Sequence, residues 1–146
     1  MGYVGYYRCG VRREVRAGMA VLATGYGSDL TAKLGLTPPA NYMEGIQAMG
    51  NMDIDAEELA EVYLGETVAP GSFAWVAPLG NGAAKVGMTA RINADTYFGR
   101  FLQRPAIASR LKGGRFILGR KPLPLGPIPK SFSHRFLVVG EAAGQV

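Results

Sequence analysis

The residues best suited to chemistry gather at the C-terminal end of this chain, where Phe136-Leu-Val-Val-Gly-Glu-Ala-Ala-Gly-Gln-Val146 runs from an apolar strand into a glycine turn carrying an acid. An apolar run of this kind suits a strand buried on both faces, and Gly140, Ala142, Ala143 and Gly144 leave room for a ligand to approach the backbone. The small residues after the turn read as the start of a helix. A helix N-terminus presents free N–H groups and partial positive charge to a phosphate, and Glu141 offers a carboxylate to sugar-like hydroxyls. The chain thus ends inside an expected binding site. An ordinary strand-to-helix turn of an α/β protein has the same composition, so the tail by itself leaves both readings open.

Elsewhere reactive groups are sparse. The chain has one cysteine, Cys9, and one histidine, His134, which excludes an internal disulfide and leaves too few ligands for a structural zinc site; no metal is expected. Neither residue has a partner at catalytic spacing, and no triad or carboxylate pair is apparent, so no catalytic residue is assigned. The net charge of +5 arises from Arg8, Arg12, Arg13 and Arg16 and from a second basic region between Arg100 and Arg135. Such a field attracts anionic lipid, phosphorylated ligands or nucleic acid alike, and a solvated basic face explains it equally well. The motifs of nucleic-acid-binding folds are missing, so no nucleic-acid partner is expected. The sequence has no apolar run of the roughly 20 residues that span a membrane, and the N-terminus does not read as a signal peptide. A cytoplasmic protein, with peripheral contact to membrane lipid through its basic residues, is the expectation.

The elements that must position these residues follow from periodicity. Residues 3–17 alternate tyrosines, valines and arginines, and a clearer strand runs from Met19 to Ala23 before Thr24-Gly25. Ser28 caps a short predicted helix with Leu30 and Leu34 on one face and Gly35 as its stop. Alternation predicts strands at 42–49, 62–64, 73–76 and 85–91, forming an antiparallel sheet, with a hairpin at Gly80-Asn81-Gly82. The stretch 55–64 is rich in helix formers amid strand-rich surroundings and is left undecided. Asn93 caps a predicted helix carrying Tyr97, Phe98, Phe101 and Leu102, and its three aromatic residues are expected in the core. Pro105 opens another helix, with Ile107 and Leu111, that stops at Gly113-Gly114. The proline-rich stretch Pro122–Pro129 returns the chain to the final strand. Because residues two apart on a strand share a face, Phe73 and Trp75 present two rings side by side, either to a core or to an apolar ligand.

Three segments, in order, resemble the geranylgeranyl reductase family of FAD-dependent oxidoreductases, within the para-hydroxybenzoate hydroxylase-like flavoproteins. Ala20-Val-Leu-Ala-Thr-Gly25 with Ser28 is similar to the strand and turn that re-enter the FAD domain. The stretch Ala69-Pro-Gly-Ser-Phe-Ala-Trp-Val-Ala-Pro, continuing to Gly87, resembles the family's Pro-Gly-Gly-Tyr-x-Trp-x-Phe-Pro strand and hairpin, and is the most specific match. The tail Val138-Val-Gly-Glu-Ala-Ala-Gly-Gln145 is similar to the Gly-Asp-Ala-Ala-Gly element. Three departures accompany the match. The Gly-x-Gly-x-x-Gly turn that holds the pyrophosphate is absent, Glu141 replaces the usual Asp, and Phe73 and Ala77 stand where Tyr and Phe are usual. The expectation is a fragment lacking the family's N-terminal motif.

The resemblance implies an α/β (α+β) fold: part of a Rossmann-like FAD sheet at 1–36 and 132–146, which brings the chain ends together, and an antiparallel substrate region with helices at 37–131. It implies FAD contacts from Ala23, Thr24, Gly25, Gly140, Glu141 and Ala142, and substrate contacts from Phe73, Trp75 and Pro78. The implied activity is reduction of isoprenoid double bonds by hydride transfer from reduced flavin, with the external donor, NAD(P)H or ferredoxin, left open and this chain alone inactive. Basic residues Arg115, Arg120, Lys121 and Lys130 would attract phosphate head groups. A flavin-dependent monooxygenase or halogenase, or a non-catalytic remnant binding a lipid or partner, stay open as alternatives.

Overall fold

A computed structural model of the chain describes residues 2–113 and 117–145. Gly114, Arg115 and Val146, used above as a helix stop, a basic position and the last tail residue, lie outside them. The strands are β1 (Gly2–Arg8), β2 (Val11–Ala17), β3 (Ala20–Leu22), β4 (Tyr42–Asn51), β5 (Glu61–Leu64), β6 (Phe73–Gly80), β7 (Ala83–Ala90), β8 (Ile117–Pro124), β9 (Phe132–Ser133) and β10 (Phe136–Val138). Short helices α1 (Leu30–Lys33), α2 (Ala94–Leu102) and α3 (Pro105–Ala108) interrupt them, and Gly140–Ala143 forms a 3₁₀ turn. The fold is a mostly-sheet α+β arrangement that separates into two compact units, residues 1–41 with 124–146, and residues 42–123.

In the first unit, β1 and β2 form an antiparallel hairpin closed by Cys9 and Gly10, both at positive φ. Its described side chains are exposed on both faces apart from half-buried Ala17. The alternation at residues 3–17 was thus a complete hairpin. β3 pairs in parallel with β10, Ala20 opposite Phe136 and Leu22 opposite Val138, while β9 borders β10 on its other side. Leu22, Leu36, Ile128, Val138, Ala142 and Ala143 form this unit's core. The expectation of a final strand buried on both faces is corrected. Only Val138 is enclosed, whereas Leu137 is 37% and Val139 36% exposed. The expected helix start is also corrected to a single 3₁₀ turn, closed by Gly144 in the left-handed region. In α1, Ser28 Oγ accepts the Leu30 N–H at 3.2 Å and Gly35 ends the helix at φ 74°. Leu30 and Leu34 nevertheless face solvent, and Thr31 is the buried position.

The second unit is a five-stranded sheet in the order β5-β6-β7-β4-β8, with β5, β6, β7 and β4 antiparallel in turn. Asn81 (φ 55°) and Gly82 (φ 71°) supply the two left-handed residues of the tight β6–β7 turn. Of the undecided stretch 55–64, residues 55–60 are turns and irregular backbone and 61–64 a strand: β5 pairs along β6 from Glu61 to Leu64. Pairing with β6, with Glu61 and Tyr63 half-buried, outweighs the local helix preference there. Residues 117–124, of which only 122–124 fall in the stretch read as a proline-rich return, form β8. Its edge position lets Pro122 sit in a strand without forfeiting a ladder bond on both sides. One face of the sheet carries Ile46, Ala48, Ala74, Val76, Val86 and Met88, on which α2 and α3 lay Phe98, Phe101 and Ile107. The aromatic residues of α2 expected in the core are there, Phe98 and Phe101 fully and Tyr97 in part.

Candidate functional site

In the first unit the parallel pairing of β3 with β10 sets two strand ends side by side. The turn Gly25-Tyr26-Gly27 leaves β3 at φ 72° and 92° for its glycines, a conformation that side chains resist. Beside it the tail turns at Gly140, φ 66°, and the two meet through Glu141. Its Oε2 accepts the Tyr26 N–H in a long 3.5 Å hydrogen bond and would lie 3.5 Å from a Cβ at Gly25. Gly25, Gly27, Ser28, Thr31, Pro39 and Ala142 surround an open hollow of about 270 Å³. Of the predicted cofactor residues, Gly25 and Ala142 line this hollow and Glu141 lies beside Gly25; Ala23 and Thr24 are exposed on the strand exit, and Gly140 is open, with nothing within 4 Å of a Cβ. Gly144 has another task. A Cβ there would strike the Gly126 carbonyl oxygen and lie 3.0 Å from its carbon, so this glycine admits the neighbouring loop rather than a ligand. Ala143 likewise takes the Ile128 N–H on its carbonyl at 2.9 Å.

In the second unit the predicted aromatic pair lies on the sheet face opposite the core. Phe73 and Trp75 have centroids 5.8 Å apart and planes tilted by 55°, and Phe73 is 43% exposed. Trp75 borders a groove of about 240 Å³ lined also by Gly45, Gly119, Gln47, Leu123 and Lys121. Pro78 does not join them. Strand alternation puts it with buried Ala74 and Val76 on the other face, so it cannot meet a ligand lying on Trp75. The groove's glycines escaped the sequence reading, although a glycine inside an apolar strand signals close approach by another group. At Gly45 that group is β8, since a Cβ would come within 2.5 Å of Leu123 Cδ1 and 2.6 Å of the Lys121 carbonyl oxygen.

The basic residues are mostly committed. Arg120 bonds Asp95 through Nε and Nη2 at 2.9 and 2.6 Å, and Lys130 lies 5.4 Å from the Phe132 ring centroid. Cys9 and His134 occupy exposed turns. Among the described residues no three of His, Cys, Asp and Glu gather to hold a metal, and no helix is long and apolar enough to cross a membrane.

With this geometry in place, comparisons with known proteins supply the family context. Residues 43–111 match the geranylgeranyl reductase catalytic domain. The chain is 36% identical over 140 residues to digeranylgeranylglycerophospholipid reductase 1 of Methanosphaera stadtmanae, covering 91% of this chain and 34% of that protein. It is 39% identical over 97 residues to geranylgeranyl diphosphate reductase of Synechocystis, covering 62% of this chain and 23% of the relative. Among solved structures, a geranylgeranyl bacteriochlorophyll reductase-like protein from Thermoplasma acidophilum superposes with a TM-score of 0.76 at 26% identity, over 93% of this chain and 36% of that one. A flavin-dependent halogenase superposes at 0.67 with 18% identity, over 97% of this chain and 28% of that one, a likeness of fold alone. The chain spans about a third of the length of the first of these curated relatives, 34%.

Proposed function

We propose, since this chain belongs to the geranylgeranyl reductase family, that it forms the strand-end turn and the substrate sheet of an FAD-dependent reductase of isoprenoid double bonds. The observation that carries the reading is the parallel seam of β3 and β10, which sets the Gly25–Gly27 turn against Glu141 although the two are far apart in sequence. The seam's geometry supports a flavin nucleotide there. Gly25 and Gly27 sit at positive φ on either side of Tyr26, and any Cβ at Gly25 would touch the Glu141 carboxylate. Gly25, Gly140, Glu141 and Ala142 would hold the cofactor, with Ala23 and Thr24 at the strand exit. A bound reduced flavin would supply the hydride chemistry that saturates an alkene. The chain's own part is binding and orientation. Phe73 and Trp75 offer an apolar wall for a polyprenyl chain lying along the sheet. The absence of a triad or carboxylate pair in the sequence suits chemistry in which protein side chains position rather than attack.

The test uses the polypeptide encoded by the complete gene, reconstituted with FAD, reduced chemically and given a geranylgeranyl lipid. Mass spectrometry is expected to show gain of hydrogen pairs at the double bonds, and a flavin-loaded protein that leaves every double bond intact would refute the reading. NAD(P)H and ferredoxin, compared in the same assay, identify the donor. Anionic vesicles test peripheral membrane contact.

A further inference from the structure

We propose that Gly87 is a positioning residue of the groove: it is glycine so that the Trp75 indole can lie down across β7 and serve as the groove's wall. The ligand's identity rests on the function proposed above; the seating of the indole does not. Gly87 stands opposite Trp75 on β6 and opposite Gln47 on β4, in the row of side chains that faces away from the core. It is buried all the same, because the indole covers it. A Cβ at this position would overlap indole Cζ2 and lie 2.6 Å from Cε2 and 3.0 Å from Gln47 Cβ. No backbone demand explains the glycine. Gly71, Gly80 and Gly82 sit at positive φ, where side chains are strained, whereas Gly87 does not. Close backbone packing does not explain it either. The atoms nearest a Cβ at Gly45 include the Lys121 carbonyl, but those nearest a Cβ at Gly87 all belong to side chains, the indole first. Any larger residue must therefore move the indole, either into the groove, filling the space a polyprenyl chain would take, or outward, removing the wall. Gly87 thereby sets the width of the groove without touching what lies in it.

The chain holds a single tryptophan, so its emission reports this site alone. Three variants of the 146-residue chain, Gly87→Ala, Trp75→Phe and the double variant, are compared with the parent. The readouts are tryptophan emission and acrylamide quenching where Trp75 remains, far-ultraviolet circular dichroism, and calorimetric titration with geranylgeraniol. In Gly87→Ala the emission maximum and quenching constant are expected to change with dichroism preserved, and geranylgeraniol affinity to fall about tenfold. In the Trp75→Phe background, where the smaller ring frees the space, adding Gly87→Ala is expected to change affinity by less than about twofold, because coupled neighbours show their interaction as a failure of additivity. If Gly87→Ala alone cannot fold, recovery of folding in the double variant supports the proposal, and failure of both overturns it. Unchanged emission and quenching in Gly87→Ala, or the same loss in both backgrounds, also overturns it. A parent chain that seats its indole as described but ignores geranylgeraniol would instead count against the isoprenoid reading and leave the role of Gly87 standing.

Discussion

Arg110 spreads its guanidinium across Glu61, Nη1 to Oε2 at 2.9 Å and Nη2 to Oε1 at 2.6 Å, while its Nε donates to the Asp53 carbonyl at 2.9 Å. The Tyr63 hydroxyl donates to the same carboxylate, and its ring stands edge-on to Phe101, centroids 5.0 Å apart. The group ties β5 to the segment after α3, a service that no local pattern at residues 55–64 announces. The guanidinium's hydrogen bonds hold the Glu61 carboxyl below the ordinary carboxylate range, against burial, while burial and then Glu61 push the Tyr63 hydroxyl up. Because Glu61 is more acidic folded than unfolded, its contribution is present above the ordinary glutamate value of about 4.3 and fades as pH falls below it. Its side chain is 35% exposed, so water screens the pair and Glu61→Gln is expected to cost about 1 kcal/mol near neutrality, less than a shielded hydrogen bond to a charged group. Urea unfolding at several pH values checks this. The variant should lose less stability than the parent between neutrality and acid, and equal losses would show that Glu61 does not titrate as described.

At the scale of elements, the start of α2 shows how tertiary structure replaces a local signal. Asn93 has the residue type of an N-cap, yet it sits at φ 54° and its side chain makes no capping bond. The Ala94 N–H instead donates at 2.8 Å to Glu44 Oε2, reaching across from β4. A carboxylate at a helix N-terminus both satisfies an orphan donor and meets the positive end of the helix dipole. Glu44→Ala is therefore expected to destabilise the chain by about 1 kcal/mol, as loss of a cap does. Asn93→Gly should be neutral or stabilising by a few tenths of a kcal/mol, because glycine takes the left-handed backbone without strain. Thermal unfolding of the two variants separates the readings, and the reverse order would return the capping role to Asn93. Strands β4 and β6 were legible because their burial alternates along much of their length, β7 as an apolar run, and the β6–β7 turn because its residues tolerate positive φ. The cap was not, since Glu44 and Ala94 are neighbours only once β4 and α2 have packed.

For the whole molecule, what sequence made visible and what it hid divide along the two units. The second unit is one continuous stretch, 42–123, whose core positions alternate locally, so most of its strands could be read in place. The first unit is assembled from both ends of the chain. Its β1–β2 hairpin lacks the buried alternation that identifies a strand, and its 3₁₀ turn replaces the expected helix because the small residues Ala142 and Ala143 are buried against the loop around Ile128. The adjacency of Gly25 and Glu141 was inferable only from family likeness, since nothing local in either turn names the other. The same division predicts how the chain comes apart. Closing β3 onto β10 carries the entropy cost of a long loop, whereas the second unit forms from near neighbours. In native-state hydrogen exchange the slowest amides are expected in β6, β7 and α2, and the fastest in the exposed β1–β2 hairpin. Removing residues 136–146 takes away the parallel partner of β3, so residues 20–22 should lose protection while 42–123 keep theirs. Protection lost evenly across the chain would show that both units stand or fall as one cooperative structure, and that the seam at Glu141 stabilises more than its own turn.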